Sequence, residues 1–336
     1  MSKPSIPPAT THLLLVGAAF GYAMNKGQVY LPVVIMNQMT FERFTMMKMF
    51  AGALGMSLVS KSIFRAVEPA EFERMQACRA SSPSAAPVLV AGGLILGAGM
   101  AICGSCPGSV YVQLGAQLPS ALPCLAGTAV GTAVASALRP RVAAWQELRS
   151  KVASTLPLGP ASQALLGMGC MAIAAGLEFA LPEPVAASTW YPSLAGIAVG
   201  CLQLPMVFLL RKSLGASAGM KILLGEAASA LEGTIGKTTW LPRFTDISQA
   251  IFVLGVVAGS CAASYYSLEA AHPCPTALRS VVGGALIAFG ASIAGGCTSG
   301  HGLSGSAMLM ASSWIVLPSI FIGGIATAAI QRTLQL

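Results

Sequence analysis

The sequence predicts an all-α integral membrane protein, and three observations support this fold class. The chain has 336 residues, of which 55% are hydrophobic and only 9% are charged, and its mean hydropathy is +0.73. Soluble domains carry about 25% charged residues, so this chain could not cover a water-facing surface. Apolar runs of roughly 18 to 22 residues recur along the chain, which is long enough to cross a bilayer as helices. Barrel strands would alternate in short segments, and these runs do not.

The apolar runs predict about nine transmembrane helices. In chain order, these predicted spans cover residues 12–24, 44–64, 85–103, 121–138, 161–181, 191–210, 247–267, 277–296 and 314–330. Four shorter apolar pieces are predicted as re-entrant half-helices, at 29–39, 110–118, 214–228 and 303–311, because pieces near ten residues are too short to span. Glycines spaced four apart, such as Gly127 with Gly131 and Gly196 with Gly200, predict close packing between helices.

The basic residues predict how the protein sits in the membrane. The net charge is +8, but the lysines and arginines lie in short loops between apolar runs, which does not predict a nucleic-acid surface. Assigned by loop, about 14 of the 19 basic residues fall on the side of the N-terminus. We therefore predict a multi-pass protein of the cell membrane (plasma or inner membrane) with a cytoplasmic N-terminus.

Two stretches match each other and predict an internal repeat. When Cys106 is placed on Cys297 without gaps, Gly104 meets Gly295, and both segments leave the helix directly after the cysteine. An odd number of spans between the halves makes the second half inverted, and inverted repeats with broken helices are a transporter design. The prediction is one membrane domain with a repeat half at 12–138, a linking helix at 161–181 and a repeat half at 191–330.

The first motif runs from Cys103 to Gly108 and contains a Cys-x-x-Cys spacing. That spacing alone is consistent with a redox pair, although Cys103 ends a long span whereas redox pairs usually open a helix. A zinc site is a second interpretation, with the candidate ligands Cys103, Cys106, Cys297 and His301. A third is that the cysteines are small packing residues.

The second motif, from Gly295 to Gly305, interrupts an apolar run with glycine-rich backbone. Broken backbone at membrane depth must line a protein cavity or a watery path. Exposed amides at the start of a half-helix attract an anion, and a thiol is a soft, weak donor that suits a sulfur anion. The predicted pore residues are Cys106, Cys297, Cys103, Gly104, Ser109, Gly295, Gly296, Thr298, Ser299 and His301.

Several isolated polar residues have two interpretations. His301 is either held in the loop by a backbone partner or acts as a gate or as a proton or anion partner. Lys26 and Lys221 each precede a half-helix, where they either reach the membrane interface or attract an anion at an entrance. Three acids near span ends are predicted to lie at the surface: Glu178, Glu226 and Glu232.

At the two motifs the sequence resembles the YeeE/YedE family of sulfur transport proteins. The matching stretches are 97–101, 106–109, 113–115 and 295–305. The resemblance implies nine membrane helices, short helices dipping in from both sides, an hourglass with pseudo-two-fold symmetry, and pore cysteines that hand an anion along by weak thiol hydrogen bonds. It also implies a further pore cysteine in the first half-helix, and the corresponding stretch here, 26–30, contains none.

These observations predict a membrane transporter for a small sulfur-containing anion, most of all thiosulfate, with no cofactor, no metal and no enzymatic activity. Two other classes remain open. One is a membrane enzyme that passes persulfide sulfur from Cys106 or Cys297 to a cytoplasmic sulfur-carrier or sulfurtransferase protein. The other is a passive anion channel.

Overall fold

A computed structural model describes residues 8–81, 83–147, 149–183, 188–235, 246–265 and 273–334. Within them the first helices are α1 (Pro8–Lys26), α2 (Pro32–Met39), α3 (Thr45–Val67), α4 (Pro69–Ala80), α5 (Ala86–Cys103), α6 (Ser109–Gly115) and α7 (Ala121–Glu147). The later helices are α8 (Pro160–Ala180), α9 (Pro192–Cys201), α10 (Gln203–Phe208), α11 (Ser217–Ile235), α12 (Ser248–Tyr265), α13 (Ala277–Ala294) and α14 (Ala311–Thr333). The strands β1 (Ser84–Ala85) and β2 (Lys151–Val152) pair antiparallel.

Seven helices in the described ranges are long and apolar enough to cross a membrane: α3, α5, α7, α8, α12, α13 and α14. The all-α membrane fold class is therefore confirmed, while the count of nine is not. The predicted span 12–24 falls in α1, which is not among the seven. The predicted span 191–210 is divided between α9 and α10 at Leu202. The end of the predicted span 247–267 lies outside the described residues.

Three of the four predicted half-helices correspond to the helices α2, α6 and α11, and α11 is longer than predicted. The predicted half-helix at 303–311 is wrong, because the chain forms a π-helical segment at Thr298–Gly305 and then turns until Met310. The Ser306 N–H donates to the His301 carbonyl, 2.7 Å away and five residues back. Glycine is a poor helix former, so the glycine-rich sequence does not favour a regular α-helix here.

The helices pack through glycines, as their spacing predicts. A Cβ atom added to Gly127 would lie 2.1 Å from the Val281 carbonyl oxygen, so α7 approaches the backbone of α13 directly. A Cβ atom at Gly196 would lie 2.0 Å from the Met49 carbonyl oxygen, where α9 meets α3. In the same way α1 packs along α12, α5 lies against both α13 and α14, and α8 packs mainly on α3.

Helix α8 has a mostly exposed apolar surface, with Phe179 87% and Leu165 63% exposed, as expected for a helix that faces lipid.

The C-terminal end of α8 takes part in an ion-pair network. The buried Lys48 ammonium lies 3.5 Å from the Glu178 carboxylate and 3.7 Å from that of Glu183. The surface prediction is therefore wrong for Glu178, because a lysine inside the span α3 needs a countercharge. Glu226 is exposed as predicted, and the Glu232 side chain lies outside the described residues.

Candidate functional site

The first half of the site begins where α5 ends. Gly104 caps this helix with a left-handed backbone, at φ 59°, and its N–H donates to the Met100 carbonyl. A Cβ atom here would lie 2.6 Å from the Cα of Pro32, at the start of α2. The backbone conformation and the close approach both require glycine. The break in α5 is therefore packed directly against the first half-helix.

Cys106 and Ser109 hold each other at the start of α6. The Cys106 N–H donates to Ser109 Oγ at 2.7 Å, and the Ser109 N–H donates to Cys106 Sγ at 3.3 Å. Because the sulfur accepts from its own loop, its S–H remains available to donate to another group. Ser109 is fully buried and so supports the cysteine.

Gln113 ties three parts of this half together. Its Nε2 donates to the Tyr30 carbonyl at 2.8 Å and to the Gly104 carbonyl at 2.9 Å, which joins α6 to the cap of α5 and to the turn before α2. Two carbonyls outside the regular helical hydrogen bonds are thereby satisfied. Sequence reasoning gave Gln113 no role, since its partners are set only by the folded arrangement.

The second half begins where α13 ends at Gly295, which also has a left-handed backbone, at φ 77°. Cys297 follows in extended conformation and is completely buried, with its Sγ 3.2 Å from Ser299 Oγ. The Cys297 carbonyl accepts the N–H of His301 at 2.7 Å. The second cysteine is thus fixed inside the wall of the broken segment.

His301 is held at both ring nitrogens. Nε2 lies 2.9 Å from the Ala294 carbonyl, and Nδ1 lies 2.9 Å from Ser313 Oγ. A carbonyl only accepts, so Nε2 carries the proton, and Nδ1 of a neutral ring accepts from the Ser313 hydroxyl. Of the two interpretations, the geometry favours a histidine that holds the loop between the end of α13 and the start of α14.

A narrow cavity of about 70 Å³ lies beside Cys106. Its polar groups come from the loops, at Cys106, Thr298 and Ser299, and the rest of its wall is almost entirely apolar. Four thioether side chains contribute to that wall: Met24, Met46, Met49 and Met100. Sequence reasoning did not identify this methionine lining, because the four residues come from three different helices.

A wide cavity of about 740 Å³ lies on the other face of the second broken segment. Gly295, Gly296, Gly300 and His301 line it. Five cationic side chains also line it, against two acids, Glu71 and Asp246; the cations are Arg74, Arg79, Arg211, Lys212 and Lys221. The sequence singled out Lys221 as one that attracts an anion at an entrance, but it did not single out Arg79.

The structure separates the predicted pore residues into groups. Cys106, Thr298 and Ser299 line the narrow cavity. Gly295, Gly296 and His301 line the wide one. Three others line neither of these two cavities but lie at the broken segments that bound them: Gly104, Ser109 and Cys297.

Of the predicted pore residues, Cys103 is the one that lies outside both the cavities and the broken segments. Its thiol donates to the Gly99 carbonyl at 3.1 Å, and its sulfur lies 3.9 Å from that of Cys124. It is buried, and neither of the two cavities includes it. Cys103 therefore behaves as a packing residue between helices, one of the interpretations that its sequence context allowed.

The redox and zinc interpretations both depend on which cysteine and histidine side chains lie together. All nine cysteines are free. Among the residues that the structure describes, no three histidine, cysteine or acidic side chains lie together as metal ligands.

Comparison with known proteins identifies relatives. The model of the sulphur transport family matches residues 26–326. The thiosulfate transporter TsuA of Escherichia coli (strain K12) is 33% identical over 138 residues, which cover 40% of this chain and 37% of that protein. A protein named "Probable transporter" from Xylella fastidiosa (strain 9a5c) is 30% identical over 151 residues, which cover 44% of this chain and 97% of that protein.

The match to the family model extends over most of the chain and includes both broken segments with Cys106 and Cys297. The resemblance seen at the two motifs is thereby confirmed, and this chain belongs to the sulphur transport family, the YeeE/YedE proteins.

Proposed function

We propose that this protein takes up a small sulfur-containing anion, thiosulfate, through a path between the narrow and the wide cavity. The observation that carries the proposal is the position of the second broken segment. Its residues Thr298 and Ser299 line one cavity, while Gly300 and His301 line the other. Cys297 is buried between them, so this segment is the wall that an anion must pass.

The chemistry of that wall fits a soft anion. The Cys106 thiol, the hydroxyls of Thr298 and Ser299 and the loop amides are donors. A thiol donates weakly and is polarizable, so it contacts a terminal sulfur without holding it. The apolar lining of the narrow cavity offers little to replace the water around a strongly hydrated anion. We expect thiosulfate to cross in preference to sulfate for this reason.

We also propose that the chain is one membrane transport domain of two inverted halves, 12–138 and 191–330, joined by the helix 161–181, with nine crossings and an hourglass shape. The packing pairs support this, because α1 on α12 corresponds to α9 on α3, and α7 on α13 corresponds to α14 on α5. The wide cavity would then face the cytoplasm with the N-terminus, since arginine and lysine residues cluster around it. The membrane in question is the cell membrane.

Uptake by the purified protein in liposomes tests the transport proposal. Labelled thiosulfate should appear intact inside the vesicles, and an excess of unlabelled thiosulfate should compete better than sulfate, sulfite or selenite. Vesicles that take up no more thiosulfate than protein-free vesicles would refute the proposal. Entry that only equilibrates and never accumulates under an imposed gradient would assign the protein to the channels instead.

The same experiment separates transport from a sulfur relay. In a relay, a cysteine thiol takes the terminal sulfur of thiosulfate to form a persulfide, the sulfur–sulfur bond of the substrate breaks, and sulfite leaves with the electron pair. A mass gain on Cys106 or Cys297 together with sulfite release would favour that enzyme and a cytoplasmic sulfur-carrier or sulfurtransferase partner. Intact thiosulfate inside the vesicles favours the transporter, in agreement with the names of the relatives.

A further inference from the structure

The wide cavity contains positive charge that its own acids do not neutralise. Three of its five cations are accounted for by ion pairs: Arg74 with Glu71, Arg211 with Glu68 and Lys212 with Asp246. The other two are Arg79 and Lys221. Neither has a carboxylate within 4 Å in the part of the chain that the structure describes.

A further basic side chain without an acidic partner lies behind the cavity wall. Lys61 is completely buried in α3, and its ammonium lies 3.5 Å from the hydroxyl of Ser213, which lines the cavity. Within the described ranges Lys61 has no acidic partner either. A buried ammonium without a countercharge costs several kcal/mol, roughly, so an anion entering the cavity would favour the charged form of Lys61.

Arg79 connects this charge to the broken segment. Its Nη2 donates to the Gly300 carbonyl at 2.6 Å, three residues after Cys297. A guanidinium has five N–H donors in a fixed fork, so the bond to Gly300 leaves others for a ligand. That fork matches the geometry of an oxyanion. The arginine therefore stands at the point where the cysteine-bearing wall opens into the cavity.

We propose that Arg79 and Lys221, with Lys61 behind Ser213, form a binding site for a small divalent oxyanion in the wide cavity. The site is separate from the thiols of Cys106 and Cys297. It deepens the proposed function, because it would receive the anion after that anion has passed the second broken segment. The binding itself requires only the charges and the cavity.

Titration calorimetry on the purified, detergent-solubilised protein tests the site, with thiosulfate and sulfate as probes. We expect both anions to bind, with affinity that falls as chloride rises. Arg79→Gln and Lys221→Gln should each weaken binding about 10-fold or more, since each removes an unpaired charge. Arg74→Gln is the matched control: it removes a cation from the same cavity, but one already paired with Glu71, and should change affinity less than about 2-fold.

Three outcomes would overturn the inference: no anion binding by the wild-type protein, wild-type affinity in both Gln variants, or an equal loss in Arg74→Gln. Because Arg79→Gln also loses the bond to Gly300, Arg79→Lys is a second variant that keeps the charge and should retain part of the affinity. A monodisperse gel-filtration peak checks the fold of each variant. Binding that depends on Arg79 without any uptake would refute the proposed function alone, and uptake without such binding would refute this inference alone.

Discussion

Gly104 and Gly295 end two different helices in the same left-handed conformation, at φ 59° and φ 77°. They are the residues that the internal sequence match aligns, two positions before Cys106 and Cys297. No other described glycine has a positive φ. The chain therefore leaves α5 and α13 through the same cap conformation, and in each case a cysteine follows in a short irregular segment.

These two caps should differ in their tolerance of a side chain. Gly295→Ala should cost about 1 kcal/mol of unfolding free energy, because it meets left-handed strain but no atom within 4 Å. Gly104→Ala should cost at least about 2 kcal/mol, since its Cβ also overlaps Pro32. Thermal unfolding in detergent measures both. Gly176→Ala, on the open face of α8, is the control and should melt at or above the wild-type temperature.

The two cysteines of the proposed path should be needed for uptake. Cys106→Ala and Cys297→Ala should each lower the initial rate of thiosulfate uptake about 10-fold, an effect of about 1.4 kcal/mol on the barrier. Cys261→Ala, at an exposed position of α12, is the matched control and should transport at the wild-type rate. Wild-type uptake by both pore variants would show that the thiols do not line the path.

Cys103 should behave differently from Cys106, although it lies only three residues away. Cys103→Ala removes a buried sulfur that packs against Cys124, so we expect a loss of about 1 kcal/mol in stability from the small void. Uptake per folded molecule should stay within about 2-fold of wild type, because Cys103 is the last residue of α5 and packs against Cys124, whereas Cys106 and Cys297 lie in the broken segments. A large loss of uptake at unchanged stability would place this thiol on the path after all.

The buried ion pair at the end of α8 should be important for stability. Lys48→Met leaves Glu178 without its cation and Glu183 with only Arg43, 3.8 Å away, and we expect a loss of about 3 kcal/mol, reduced by the partial exposure of both carboxylates. Lys48→Met combined with Glu178→Gln should be less destabilised than the single variant, because less uncompensated charge remains. Chemical denaturation in mixed micelles measures the difference.

Arg332→Gln is the control for that ion pair. The Arg332 and Glu42 side chains are 73% and 51% exposed, so removing this pair should change stability by less than about 1 kcal/mol. If Lys48→Met were equally mild, the buried network would contribute nothing to the fold.

His301 should stabilise the second broken segment instead of acting as a gate. His301→Ala removes bonds to the Ala294 carbonyl and the Ser313 hydroxyl and should cost about 2 kcal/mol. Ser313→Ala removes one of these bonds and should cost about half as much. A histidine that gates the path would instead alter the rate and pH dependence of uptake while leaving the melting temperature unchanged.

The sequence by itself determined the features that depend on local composition. Apolar runs of span length predict the membrane helices, because lipid leaves the backbone no partner except its own chain. The sequence match predicts one break in each half but places it directly after Cys106 and Cys297, whereas the helices end three residues earlier, at the left-handed caps Gly104 and Gly295. The local pattern failed at 303–311, where the π-helical segment ends at Gly305 and the chain turns until Met310.

Only the tertiary structure decided which of these residues meet. Arg79 bonds to Gly300 across 221 positions of the chain, and Lys61 reaches Ser213 across 152. Helix α5 ends between Cys103 and Cys106, so the Cys103 thiol packs among helices and the Cys106 thiol faces the narrow cavity. The direction of a side chain beyond a helix end, and the partner of a buried charge, are set by packing between distant segments, and local sequence does not carry that information.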